Sequence, residues 1–266
     1  MKKLFVCFLF FGAGLMSFPQ TVKDNKMPVT TGSKQALAFY NEALKCFDNV
    51  DLDKGRDLLI KSLKEDPGFF MANYQMSLYY SGTGNIGKFL EYAEAAVNCR
   101  TTLSQAEELL KSAVTKLKED QNADVTQVGK KLVEMYPQDI NAYNNLFYFQ
   151  SFINDINGEL ETLNKELKIA VNLASVYNQL GYVYMSLKQN DKAEAAFNKY
   201  IELDPKNPNV YDSKGDFYIN IRDYKKAYES YMKAYSMDTS WSYEKARKAK
   251  QLYESKEGKK LEIIPL

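Results

Sequence analysis

Residues Tyr177–Pro205 read YNQLGYVYMSLKQNDKAEAAFNKYIELDP, two amphipathic helical patterns of opposite facing joined by a short polar turn. Leu180, Tyr184, Phe197 and Ile201 supply the apolar faces. Gly181 and Ala193 are small where two antiparallel helices would touch most closely, so their neighbours Tyr184 and Phe197 can fill the space on either side. Pro205, with no N–H to donate and a fixed φ, ends the second helix. One such hairpin cannot cover its own apolar face, which makes recurrence the deciding question.

The pattern recurs with a period of 34. From Pro208 the same template reads Tyr211, Gly215, Tyr218, Ala227, Tyr231 and Ala234, and from Ile140 it reads Tyr143, Leu146, Leu163 and Leu167. From Phe70 it gives Met76, Ser77, Tyr80, Ala93 and Ala96, and from Ala36 it gives Phe39, Ala43, Cys46, Gly55 and Leu59. The faintest unit starts at Ala106 after a slip of two residues, with Ala113, Leu132, Val133 and Pro137. The units are therefore 36–69, 70–103, 106–139, 140–173, 174–207 and 208–241.

This spacing of small and large residues resembles the tetratricopeptide repeat family, in an exported bacterial-type form. The resemblance implies an all-α, right-handed solenoid of about six helical hairpins. Residues 242–266 add a charged amphipathic helix, SYEKARKAKQLYESKE, as the cap an open solenoid end requires, and then an apolar tail.

The segment before the array divides in two. Residues 1–18 have the form of a secretory signal: Lys2 and Lys3 precede an uncharged apolar run from Leu4 to Met16, shorter than the roughly 20 residues that span a bilayer. Cleavage would leave no membrane-inserted segment and an exported protein, periplasmic or secreted. Residues 19–35 are polar and turn-rich and read as a linker, with Ser33 placed to cap the first helix.

Composition removes whole classes of function. With 35 basic and 34 acidic residues the chain has no electrostatic footprint for nucleic acid. The absence of histidine removes the commonest general base and metal ligand together. Beyond the signal only Cys46 and Cys99 remain, too few for a zinc site, and Cys46 falls in a core register. No catalytic residue, metal ligand or cofactor is expected. Gly82-Thr83-Gly84-Asn85-Ile86-Gly87 matches the letters of a dinucleotide fingerprint, yet it falls between two helices and follows no strand. The acids from Asp48 to Asp53 lack the spacing and final glutamate of a calcium loop and suit a helix N-terminus instead.

In the family, positions 2, 5 and 9 of each first helix line a concave groove. The resemblance thus places Asn141, Asn144 and Tyr148, then Ser175, Asn178 and Tyr182, then Asn209, Asp212 and Asp216 on the inner face. Asparagine is a mediocre helix former, and an amide can hydrogen-bond the backbone of an extended peptide whatever its sequence. The expected function is a non-catalytic scaffold of the cell envelope that holds an extended peptide of a protein partner in this groove. A glycan-binding module and a structural homo-oligomer are the alternatives. The Lys/Asn/Arg clamp with which some family members hold a terminal carboxylate is absent, because the groove positions of the last three units carry no lysine or arginine. The first units have an apolar inner face, Leu37, Tyr40, Leu44 and Phe47, then Met71, Tyr74 and Leu78, suited to a partner or to the linker folding back.

Overall fold

The computed structural model describes residues 26–240 and 242–261. The signal segment 1–18, the linker as far as residue 25, Trp241 and the tail 262–266 lie outside the described residues. Among the described residues there are thirteen helices and no strand. They are α1 (Lys34–Asp48), α2 (Leu52–Glu65), α3 (Phe70–Gly82), α4 (Ile86–Val97), α5 (Gln105–Glu119), α6 (Thr126–Met135), α7 (Ile140–Phe152), α8 (Ile156–Glu166), α9 (Leu173–Ser186), α10 (Asn190–Leu203), α11 (Pro208–Asn220), α12 (Tyr224–Met237) and α13 (Tyr243–Glu257). Pairs α1/α2, α3/α4, α9/α10 and α11/α12 pack as antiparallel hairpins stacked in sequence, so the chain is an all-α repeat solenoid.

The turns explain the period. Val50, Gly84, Asn154, Lys188 and Arg222 all have positive φ between 55° and 72°. In each case the next residue donates its N–H to a carbonyl near the end of the preceding helix. The pairs are Asp51 to Cys46, Asn85 to Tyr80, Asp155 to Gln150, Gln189 to Tyr184 and Asp223 to Tyr218, all at 2.9 Å. This left-handed cap satisfies carbonyls that the helix leaves open. Only Gly84 adopts that conformation without steric cost, which accounts for the central glycine of the false nucleotide fingerprint. Asn85, Asp155 and Asp223 then cap the second helices with their side chains.

The unit from Ala106 is built differently. No residue between 105 and 139 has positive φ, and α5 runs on to Glu119 before a loop of residues 120–125. As a result α6 packs mainly on α7 of the next unit and little on α5. A Cβ at Gly129 would lie 2.7 Å from the Cα of Leu146, so only glycine permits this approach. Inside a regular unit the tight contact is with a ring: a Cβ at Gly181 would meet Phe197 at 2.5 Å, and one at Gly215 would meet Tyr231 at 2.4 Å.

Residues 26–33, within the span read as a linker, lie against the array. Met27 is buried and its N–H donates to Asp139 Oδ2 at 2.5 Å. Thr30 donates its N–H and hydroxyl to Glu107 at 2.7 and 2.6 Å, and the Thr31 hydroxyl donates to Asp66 at 2.6 Å. Ser33 then caps α1, accepting from Ala36 N–H at 3.1 Å. Buried Met27 joins Tyr40, Met71 and Tyr74 in one core cluster, so part of the apolar inner face of the first units is covered from within the chain, while Leu44, Phe47 and Leu78 border open cavities. Cys46 is buried and Cys99 half-buried, both as free thiols.

The array coils tightly enough to bring distant units together. The Tyr74 hydroxyl donates to Asn145 Oδ1 at 2.5 Å, and Asn207 Nδ2 lies 3.4 Å from the carbonyl of Asn49, 158 positions away in the chain. The inner surface is therefore a cleft with α1 and α3 on one wall and α7 and α9 on the other.

Candidate functional site

The cleft is a row of three adjoining cavities. The first, about 210 Å³, is apolar and is bounded by Phe47, Leu52, Leu78, Tyr79 and Tyr148. Phe47, Gln75 and Tyr148 are shared with a narrow middle cavity of about 70 Å³, which adds Asn144, Ser175 and Gln179. Asp48, Asn141, Asn144 and Ser175 lead from there into a third cavity of about 270 Å³, bounded also by Lys26, Asp139 and Glu166. Along its length the lining changes from aromatic to amide to acidic.

The nine residues predicted for the groove divide into two groups. Asn141, Asn144, Tyr148 and Ser175 line the cavities, and the Tyr148 ring is 44% exposed. Asn178, on α9 with Ser175, lines none of these cavities and is 7% exposed, with its Oδ1 buried and accepting no hydrogen bond. The other four are engaged within the chain. Asn209 is buried and donates to the Tyr200 hydroxyl at 3.0 Å. Asp212, 7% exposed, accepts from Ser242 and from Lys245 Nζ at 2.6 Å. Asp216 accepts from Tyr182 at 2.9 Å, from Tyr231 at 2.7 Å and from Lys245 at 3.0 Å. The capping helix thus fills the acidic end of the predicted groove with its own cation. Burial opposes the charge on Lys245, but its bonds to Asp212 and Asp216 outweigh that and raise its pKa. The Tyr182 hydroxyl is held far above its ordinary pKa, first by burial and then by the Asp216 carboxylate.

Three further acids are buried near the cleft, and they differ in how they are satisfied. Glu107 takes Thr30 N–H, Thr30 hydroxyl and Ser104 N–H, the last closing a capping box at the start of α5. Asp139 takes Met27 N–H, Asn141 N–H and Asn141 Nδ2. Glu166, only 2% exposed, leaves Oε2 with no partner. Burial first, and then the charge of Asp48, push its pKa from 4.5 up to about 8. Gln179 Oε1, in the middle cavity, is likewise buried and unpartnered.

The inner-face rule does not find Glu166, because it lies on a second helix. A different signal does. Its position in the unit is occupied elsewhere by Ser62, Ala96, Leu132, Tyr200 and Ala234, every one of them buried. A carboxylate in a register that is otherwise uncharged is a conflict between local pattern and fold, and such conflicts gather at functional sites.

Comparison with known families bears on the C-terminal hairpins. The family model described as the tetratricopeptide repeat matches residues 174–207 and 208–240. The matched segments coincide with two hairpins, α9/α10 and α11/α12. Six of the nine predicted groove residues, from Ser175 to Asp216, sit on the first helices of those hairpins. Solved tetratricopeptide-repeat structures resemble the chain at low identity. One is TTC0263, a thermophilic TPR protein in Thermus thermophilus, at 18% identity over 83% of this chain and 97% of that one, TM-score 0.46. Another is YrrB, described as a TPR protein with an unusual peptide-binding site, at 17% identity over 73% of this chain and 97% of that one, TM-score 0.45. Among curated proteins none matches. Among the described residues no helix is long and apolar enough to cross a membrane, and no cluster of acids and thiols could hold a metal ion.

Proposed function

We propose that the chain is a non-catalytic interaction module that holds an extended peptide of a protein partner in the cleft between α1/α3 and α7/α9. The observation that carries this reading is the row of cavities from Phe47 and Tyr148, past Gln75, Asn144 and Gln179, to Asp48 and Glu166. An extended chain needs apolar space for side chains and amide partners for its backbone, and both are present in order. Tyr148, half-exposed at the junction of two cavities, is the residue type that dominates binding hot spots. Tetratricopeptide repeats as a family act in protein–protein association, which agrees with this use of the cleft.

The apolar, lysine-led residues 1–18 support a partner in the cell envelope. Fractionation of cells expressing the full chain, with N-terminal sequencing of the recovered protein, tests this: a shortened chain outside the cytoplasm is expected, and a full-length cytoplasmic one overturns it.

The binding reading is tested by selecting peptides from a random library on the immobilised protein and repeating the selection with Asn144→Ala/Tyr148→Ala. Enriched peptides should lose at least about tenfold in affinity for the double variant, as for a central hot spot, while the far-ultraviolet circular dichroism stays unchanged. Equal binding by the variant overturns the assignment of the cleft.

A further inference from the structure

We propose that the cavity between Asp48 and Glu166 receives the ammonium of a lysine side chain from the segment bound in the cleft. The inference rests on the peptide reading above and assigns the chemistry of one subsite. Glu166 lines this cavity together with Asp48, and its buried Oε2 has no donor; Gln179 Oε1, in the adjoining middle cavity, is a second buried acceptor in the same condition. Both orphan atoms need a donor. An ammonium offers three N–H groups and no acceptor, which suits a wall made of acceptors.

Charge points the same way. Glu166 is faced by Asp48 from α1, by Asp139, the N-cap of α7, and by Tyr148 of α7. Lys26 is the one cation lining the cavity among the described residues, while Asn172 and Ser175 at the start of α9 carry no charge. At the other end of the inner surface the same problem is already solved, because Lys245 of α13 lies against Asp212 and Asp216 with its Nζ within 3.1 Å of each. That arrangement is a template, within this molecule, for a lysine docked on two inner-face carboxylates.

Carboxyls crowded in a buried place hold a proton until a cation replaces it. Binding of an ammonium therefore expels a proton from Glu166, and affinity must rise with pH up to the pKa of the free site, about 8.

The test uses the peptide acetyl-Ala-Ala-Lys-Ala-Ala-amide, its norleucine counterpart, and free n-butylammonium, titrated into the full chain and followed by amide NMR shifts. The lysine peptide should bind saturably and shift Asn141, Asn144 and Ser175. It should weaken at least about tenfold with Glu166→Gln and tighten close to tenfold per unit between about pH 6 and 7. Asp48→Asn, on a different helix, should weaken it independently, so that a folding defect in one variant does not decide the matter. Equal binding by the norleucine peptide, unaffected by Glu166→Gln, overturns the ammonium subsite and leaves the peptide cleft standing. Glu166-dependent binding of n-butylammonium with neither peptide bound keeps the ammonium subsite but overturns lysine as its occupant and the peptide reading with it. Failure of all three probes overturns the inference.

Discussion

The two C-terminal repeats and the centre of the array handle buried acids in opposite ways. In α9–α13, Asp212 and Asp216 point inward, and two tyrosine hydroxyls, Ser242 and Lys245 meet them. At the centre the register slips by two residues ahead of α5, α6 leans on the following unit, and Glu166 of α8 is left buried beside Asp48 with an oxygen that nothing donates to. The regular end is thus closed by its own cap, and the irregular centre stays open. The lesson is that a solenoid's inner face is not uniformly a binding surface: where the next element supplies the counter-charge, an acid becomes a structural joint.

This contrast can be broken at several points. The largest effect belongs to Glu166. A carboxyl whose folded pKa is raised from 4.5 to about 8 adds stability that is full below about 4.5 and lost as pH climbs to 8. Glu166→Gln should leave stability near that of the parent at about pH 5 and exceed it by about 4 kcal/mol above pH 8, read from urea denaturation at each pH. A constant difference across that range would mean that Glu166 is not held protonated. Gly129→Ala comes next: its new methyl meets backbone at 2.7 Å, which cannot swing aside, so a loss of about 2–3 kcal/mol is expected by chemical denaturation.

At the closed end, Lys245→Met leaves the buried Asp212 without its cation. Rupture of a fully buried pair costs about 3–5 kcal/mol; since Lys245 is half exposed, about 2 kcal/mol is expected. The loss should appear as faster hydrogen exchange in α13 before any other helix, and uniform change along the chain would contradict the joint assigned here. The smallest effect is that of Gly181→Ala, where the clash is with the Phe197 ring and a gain in helix propensity offsets part of the strain. A net loss of about 1 kcal/mol is expected, below that of Gly129→Ala in the same assay.

Much of the fold was legible because its causes are local. The left-handed turn residues recur 34 apart from Val50 to Gly84 and again from Asn154 through Lys188 to Arg222, and the two-residue slip falls where the turn is missing. Small residues at Gly181 and Gly215 mark helix contacts that each hairpin makes with itself. The site was legible in part. Asn144, Tyr148 and Ser175 line the cleft as the inner-face rule requires, whereas Asp212 and Asp216 follow the same rule and meet Lys245, about thirty positions further on. The polar run before α1 gave no hint that Thr30 and Thr31 would satisfy Glu107 and Asp66, because threonine in a turn-rich segment looks the same whether or not a carboxylate waits for it.

Outside the unit from Ala106, the amino-acid order alone determined helices, turns, their pairing into hairpins and the faces those hairpins bury, since each depends on neighbours within one 34-residue unit. Tertiary structure alone decided which buried acids are neutralised and which stay open. The groups that settle this arrive from far along the chain, Met27 at Asp139, Thr30 at Glu107, Asp48 at Glu166, and only the coiling of the array brings them within hydrogen-bond or Coulomb range.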